Sequence, residues 1–108
     1  MAIIRGTTPT LVFKIKNEDM NLNNVAEIWV TLKTKAGTQS KEKTYDRNNV
    51  TIDAQNSEIS LSLSQEDTLY FEDTNMLIQV RLRMNNSKAY ASAIIKTSIG
   101  QILKEGVI

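Results

Sequence analysis

MLIQVRLRMNNSKAYASAII, residues 76–95, is the stretch whose reading decides the fold. Ile78, Val80, Leu82 and Met84 alternate with Gln79, Arg81 and Arg83, so a strand here sends the first set to one face and the second to the other. The polar NNSK interrupts the pattern, which then resumes, and this predicts a hairpin. Pairing Met84 with Ala89 sets Leu82 opposite Ala91, Val80 opposite Ala93 and Ile78 opposite Ile95. Arg83 then stands beside Tyr90 on the outer face, a favourable cation–aromatic contact. A register two residues tighter would bring Arg83 against Lys88, and like charges directly opposite are destabilising. Ala89, Ala91 and Ala93 would leave room on the core face for bulky groups of a facing sheet.

The same period of two runs through the rest of the chain. TLVFKIK puts Leu11, Phe13 and Ile15 on one face; AEIWVTLK does so with Ile28, Val30 and Leu32. NVTID offers Val50 and Ile52, and SEISLSLS offers Ile59, Leu61 and Leu63 against Glu58, Ser60 and Ser62. TQSKEKTY is polar and lysine-bearing, as suits an edge strand protected from stray pairing. KNEDMNLNN, KAGT, DRNN and AQNS read as the intervening turns. Pro9, the only proline, stands at the start of the first strand, where a missing N–H costs least. Ser64 and Asp67 form a weaker version of a capping box, so SQED followed by TLYF predicts one helical turn pinned to the core by Leu69 and Phe71. The expectation is an all-β, single-domain antiparallel β-sandwich over residues 1–108, with about seven strands.

The totals agree with one globular domain. At 108 residues, 41% apolar and 23% charged, the chain has an ordinary globular composition and enough length for one core. A formal charge of +1 supplies no field to gather nucleic acid, and no basic run traces a backbone-binding groove. Arg5 falls where a signal peptide needs its apolar run, so no signal peptide is expected. No segment approaches the ~20 apolar residues of a membrane helix, so no membrane partner is expected.

There is no cysteine and no histidine. That removes disulfides, thiolate zinc sites, and every catalytic arrangement built on imidazole. Glu18–Asp19, Glu66–Asp67 and Glu72–Asp73 are carboxylate pairs at turns, where solvated charge is the expected role; acid–base catalysis needs one carboxyl desolvated in a cleft. NEDMNLNN lacks the glycine of a calcium loop, and the scattered glycines form no phosphate cradle. No catalytic, cofactor-binding or metal-ligating residues, no cofactor, no small-molecule ligand and no enzymatic activity are expected.

If Ile28, Val30 and Leu32 face the core, Trp29 faces away. The same parity places Leu77, Arg81, Arg83, Tyr90 and Ile94 on the outer face of the closing hairpin. Trp, Tyr and Arg are the types enriched at interface hot spots, so these six residues are the candidate interface. Either the chain's own terminal segments cover them or another molecule does. Their one-signed charge would meet acid such as Glu66, Asp67, Glu72 or Asp73 on a second copy, in a head-to-tail contact. The rival reading is a carbohydrate- or receptor-binding module with Trp29 and Tyr90 as a stacking platform.

RGTTPTLVFKIK, LSQEDTLYF, LIQVRLR with AYASAI, and ILKEGVI, in that order, resemble a family of small proteins. That family is encoded by phages and prophages of Gram-positive bacteria among late structural genes. LNNVAEIWVTLKTKAG also resembles the opening of the N-terminal sandwich domains of lactococcal-type baseplate proteins. The resemblance implies an immunoglobulin-like or related sandwich. It further implies a tail, baseplate or capsid-associated component, placed in the virion or in the host cytoplasm during assembly. Its expected partners are further copies of itself, other phage structural proteins, or both, and it brings no catalytic residues.

Overall fold

The computed structural model describes residues 2–16, 20–36, 38–72 and 74–108, with Ala2 and Ala36 as backbone alone. Its strands are β1 (Ala2–Ile4), β2 (Thr10–Lys14), β3 (Val25–Ala36), β4 (Gln39–Tyr45), β5 (Val50–Asp53), β6 (Glu58–Ser62), β7 (Thr74–Met84), β8 (Ala89–Ala91) and β9 (Ile95–Gly100); the helix α1 (Gln65–Tyr70) separates β6 from β7. One sheet runs β1-β9-β7-β3-β4, with β8 also on β7; the other runs β2-β6-β5. Neighbouring strands are antiparallel except β1 and β9, which are parallel. The result is an all-β sandwich whose strand order is immunoglobulin-like. β2, β6 and β5 stand where strands B, E and D stand in that fold, and β9, β7, β3 and β4 where G, F, C and C′ stand. Among the described residues no strand occupies the place beside β2 that strand A would take.

The alternation read from the sequence builds the core. Leu11, Phe13, Ile59 and Leu61 from the smaller sheet meet Ile28, Val30, Leu32, Ile78, Val80 and Leu82 from the larger, and all are buried. Each such side chain contributes roughly 1.5–3 kcal/mol relative to leaving it in water. Ile15, Val50 and Ile52 are half-buried and pack against this core.

The crossing between the sheets is the anticipated helical turn. The Asp67 N–H donates to Ser64 Oγ (3.1 Å) and the Ser64 N–H to Asp67 Oδ2 (2.9 Å), the reciprocal bonds of a capping box. Phe71 is buried as expected, and Leu69 is half-buried. Thr68, which the sequence does not single out, is also buried and donates its hydroxyl to the Thr7 carbonyl (2.9 Å).

β4 is the polar edge strand expected from TQSKEKTY. Lys43 pairs with Leu32 and Lys41 with Thr34 across the ladder, so both lysines stand on the core side of the sheet. There Lys43 meets Asp67 (3.1 Å), and both ammonium groups lie over the Tyr70 ring, at 4.9 and 5.5 Å from its centre. Inward-pointing charge deters a further strand from adding at this edge.

The closing hairpin departs from the expected register. β8 pairs as Arg83 with Ala89, Leu82 with Tyr90 and Arg81 with Ala91, one residue away from the predicted alignment. The cause is the turn. Met84 N–H reaches the Lys88 carbonyl (2.8 Å) and Ser87, at φ +70°, takes the left-handed conformation, which closes a three-residue loop where four were expected. A slip of one residue turns every side chain over. Tyr90 therefore faces inward and packs against the core, while Ala89 and Ala91 are exposed. The chain then recovers the expected alignment, with Ile78 opposite Ile95. Recovery takes an irregular step at Ser92, whose N–H donates to the Val80 carbonyl (2.8 Å) while its hydroxyl oxygen accepts from the Val80 N–H (3.0 Å). Splitting this arm into β8 and β9, and adding β1, gives two strands more than the seven expected.

Candidate interaction surface

Past an irregularity between Val25, which is buried, and Glu27, the residues of odd number in β3 and in β7 point away from the core and form the outer face of the larger sheet. Trp29 stands directly across the ladder from Arg81, and Leu77 stands between Lys33 on β3 and Lys96 on β9. Of the six candidate residues, Trp29, Leu77, Arg81 and Arg83 share this face. Trp29 is 46% exposed and Leu77 37%. Tyr90 does not belong here, for the register reason given above. Ile94 is exposed, but lies in the irregular step between β8 and β9 and is not on the ladder.

Arg81 lies over the indole of Trp29, its guanidinium carbon 5.4 Å from the ring centre. The expected partnership of Arg83 with Tyr90 is thus replaced by Arg81 with Trp29. Arg83 instead pairs across the ladder with Glu27. The Glu27 carboxylate accepts the backbone N–H of Ile28 (2.9 Å) and of Arg47 (3.2 Å). These two bonds, and then the nearby Arg83 and Arg47 charges, hold its pKa below the usual carboxylate value. Glu27, Trp29, Arg81, Leu82, Arg83 and Ala89 line a hollow of about 170 Å³. At the other end of the face, Lys33, Lys35, Asn75, Leu77 and Lys96 surround a shallow basin of about 570 Å³. Glu27, Lys33 and Lys35 escaped the sequence reading, although their even spacing from Trp29 places them on the same face. Among the described residues, five cations on this face stand against Glu27 and Glu42, the latter opposite Lys33 on β4.

Among the described residues, the chain's own ends leave this face open. The segment after β9 turns toward α1, where Glu105 ion-pairs with Arg5 and the Gln65 side chain exchanges hydrogen bonds with the Ile108 backbone (2.9 and 3.2 Å). Leu103 and Ile108 are fully exposed there.

Two of the four acids proposed to meet the arginines are engaged at home. Asp67 is paired with Lys43 and Glu72 with Lys41 (3.6 Å). Burial works to raise the pKa of Asp67, but the Ser64 backbone N–H, Lys43, the Ser64 hydroxyl and Tyr45 outweigh it and hold the group below its ordinary value. The Tyr45 hydroxyl is buried and completes no well-formed hydrogen bond; burial first, then the Asp67 charge, pushes its pKa up. Glu66 is exposed. Glu18, Asp19 and Asp73 lie outside the described residues, as does part of NEDMNLNN. Among the described residues no cluster of three or more acids is placed to hold a metal ion, and no helix is long and apolar enough to cross a membrane. No family model, curated protein or solved structure matches this chain.

Proposed function

We propose that this chain is a non-enzymatic structural or assembly module of a phage or prophage particle, a tail, baseplate or capsid-associated part, that works by docking the outer face of its larger sheet onto another protein. The observation that carries the reading is the uncovered face itself. It holds an exposed Trp29 braced by Arg81, an exposed Leu77, and an excess of cations at both ends. Arginine keeps its charge while lying flat on an aromatic ring, so the Trp29–Arg81 pair tolerates burial against a partner better than a lysine pair would. A face whose role was solubility alone would intersperse charges of both signs and show fewer large apolar groups.

The excess of cations also bears on which surface is met. A two-fold contact of this face with itself would press cations onto cations, so the complementary surface is a different one, on another particle protein or elsewhere on a second copy. The carbohydrate-binding alternative draws no support from the aromatic geometry, because Trp29 and Tyr90 stand on opposite sides of the sheet and form no joint platform.

The test is made on particles induced from the host that encodes the chain. The expected result is that the protein is found in purified particles or is needed to form them, and that Arg81→Glu with Arg83→Glu removes it or stalls assembly while the variant still folds. Normal, infectious particles from a strain lacking the gene would overturn the proposal.

A further inference from the structure

The two edges of the smaller sheet differ, and so do the edges of the larger. β4 is blocked by its inward lysines; β5, β1 and β8 are four, three and three residues long. β2, at five residues, is the longest of these remaining edges, and its inward side chains, Leu11 and Phe13, are apolar. Its bonds to β6 fix which of its groups are spent: Ile15 N–H donates to the Ser57 carbonyl (2.8 Å) and Leu63 N–H to the Pro9 carbonyl (2.9 Å). In an antiparallel ladder hydrogen-bonded pairs recur every second residue, so positions 9, 11, 13 and 15 face β6. Thr10, Val12 and Lys14 therefore aim their N–H and C=O groups outward, where no described residue meets them. Val12 is 55% exposed.

Below this edge the sandwich is open among the described residues. A cleft of about 260 Å³ separates β2 from β7 and β8, lined by Ile15, Met20, Val80, Leu82 and Tyr90, with Lys14 and Lys16 also on its wall. The inward turn of Tyr90 is what gives the cleft its aromatic wall.

We propose that this edge and cleft together accept an extended segment of a partner protein as an added strand, with aliphatic side chains facing in and acidic ones facing Lys14 and Lys16. Outward main-chain groups supply the hydrogen bonds and the cleft supplies side-chain selection, as in other cases of strand addition. The apolar lining sets the inward residues. Lys14 and Lys16, with no acid among the described lining residues, set the charge; Glu58 stands on the far side of Lys14, across the ladder from it. The acceptor edge belongs to the smaller sheet, and the cleft lies on the core side of β7 and β8, away from the outer face that carries Trp29.

The probe is a pair of short synthetic peptides alternating valine with glutamate or valine with lysine, followed through the amide spectrum of the full chain. The glutamate peptide should shift the amides of Thr10, Val12, Lys14 and Tyr90 saturably, and bind about tenfold more tightly than the lysine peptide. Val12→Pro removes only an outward N–H, a position where an edge strand tolerates proline. That variant should keep the dispersed spectrum of the folded protein and lose the response. No shift at β2 up to roughly 5 mM peptide, a weak-binding limit, would overturn the proposal. So would shifts confined to the Arg81 and Lys33 face, or undiminished binding by folded Val12→Pro. Shifts at β2 that grow with protein concentration alone, without peptide, would give the edge to a second copy and overturn the assignment to a different partner.

Discussion

Arg81 and Trp29 are direct cross-strand neighbours on β7 and β3, and the guanidinium covers the indole at 5.4 Å. At an exposed site such a contact is worth about 0.5–1 kcal/mol. A double-mutant cycle with Arg81→Ala and Trp29→Leu should return a coupling of that size from urea unfolding. Trp29 is the only tryptophan, so the emission of Arg81→Ala should differ from that of the native chain, although its fold is kept. A coupling of zero would show that the two residues are neighbours without being partners.

The inward position of Tyr90 makes a sharp contrast with its neighbours. Tyr90→Ala should cost about 1–3 kcal/mol, less than a fully buried aromatic because the ring is half-exposed to the cleft. Ala91→Lys should stay within roughly ±0.5 kcal/mol, as for ordinary surface changes. The register expected from the sequence would reverse the order, since it buries Ala91 and exposes Tyr90. Urea midpoints of the two variants therefore decide between the alignments.

Parity on the smaller sheet can be checked in the same way. Leu61→Ala should cost roughly 2–4 kcal/mol, and Val80→Ala a similar amount, because both side chains are buried between the sheets. Ser62→Ala, one residue from Leu61 and exposed, should cost well under about 1 kcal/mol. Equal shifts for Leu61→Ala and Ser62→Ala would contradict the inward–outward assignment of β6.

These contrasts show what a period of two carries and what it does not. Leu11, Phe13, Ile28, Val30, Leu32, Ile59 and Leu61 were legible because each run has one wholly apolar face, which fixes its orientation whatever its partner. Ser64 and Asp67 were legible because a capping box is local. Tyr90 was not, since its orientation depends on whether the turn before it holds three residues or four, and that rests on a left-handed Ser87, a conformation a serine rarely announces. The face around Trp29 was half legible: parity puts Glu27, Lys33 and Lys35 on it, but that the lysines gather around Leu77 and that Glu27 stands beside Arg83 follow from strand order. The open edge of β2 was invisible for the same reason, because an edge exists only relative to a sheet.

Asp67 links stability to acid. Its folded pKa lies below the ordinary 3.8, so its contribution is complete above that value and is lost as the pH falls through the folded pKa. Asp67→Asn should be less stable than the native chain near neutrality, and the difference should shrink as the pH drops below about 3.8. Glu27 and Asp53 also have lowered values, and both remain in the variant, so the comparison isolates Asp67. Thermal unfolding of both proteins between neutral and strongly acidic pH gives the measurement. A difference that does not vary with pH would assign the effect to the cap alone and not to the charge.

Arg5 carries the last prediction, because three groups from two separate parts of the chain meet on its guanidinium. Its Nε donates to the Phe71 carbonyl (2.7 Å), Nη2 donates to the Leu69 carbonyl (3.0 Å), and Nη1 pairs with Glu105. Leu69 and Phe71 lie at the end of α1, where the last carbonyls of a helix lack internal partners and carry partial negative charge. A planar fork can serve two such carbonyls and a carboxylate together; a lysine can reach the same place but cannot hold that geometry. Hydrogen bonds to a charged group contribute about 1.5–3 kcal/mol each when the partners are sheltered, and the Glu105 end is exposed and worth less. Arg5→Ala should therefore cost about 2–4 kcal/mol, and Arg5→Lys should recover only part of it. Glu105→Ala, which removes the exposed arm alone, should cost less than about 1 kcal/mol. Amide hydrogen exchange adds the local signature: α1 and the segment after β9 should lose protection together in Arg5→Ala, while β3 and β7 keep theirs. Loss of protection spread evenly over all strands would show that Arg5 supports the whole fold and not the junction of helix and tail.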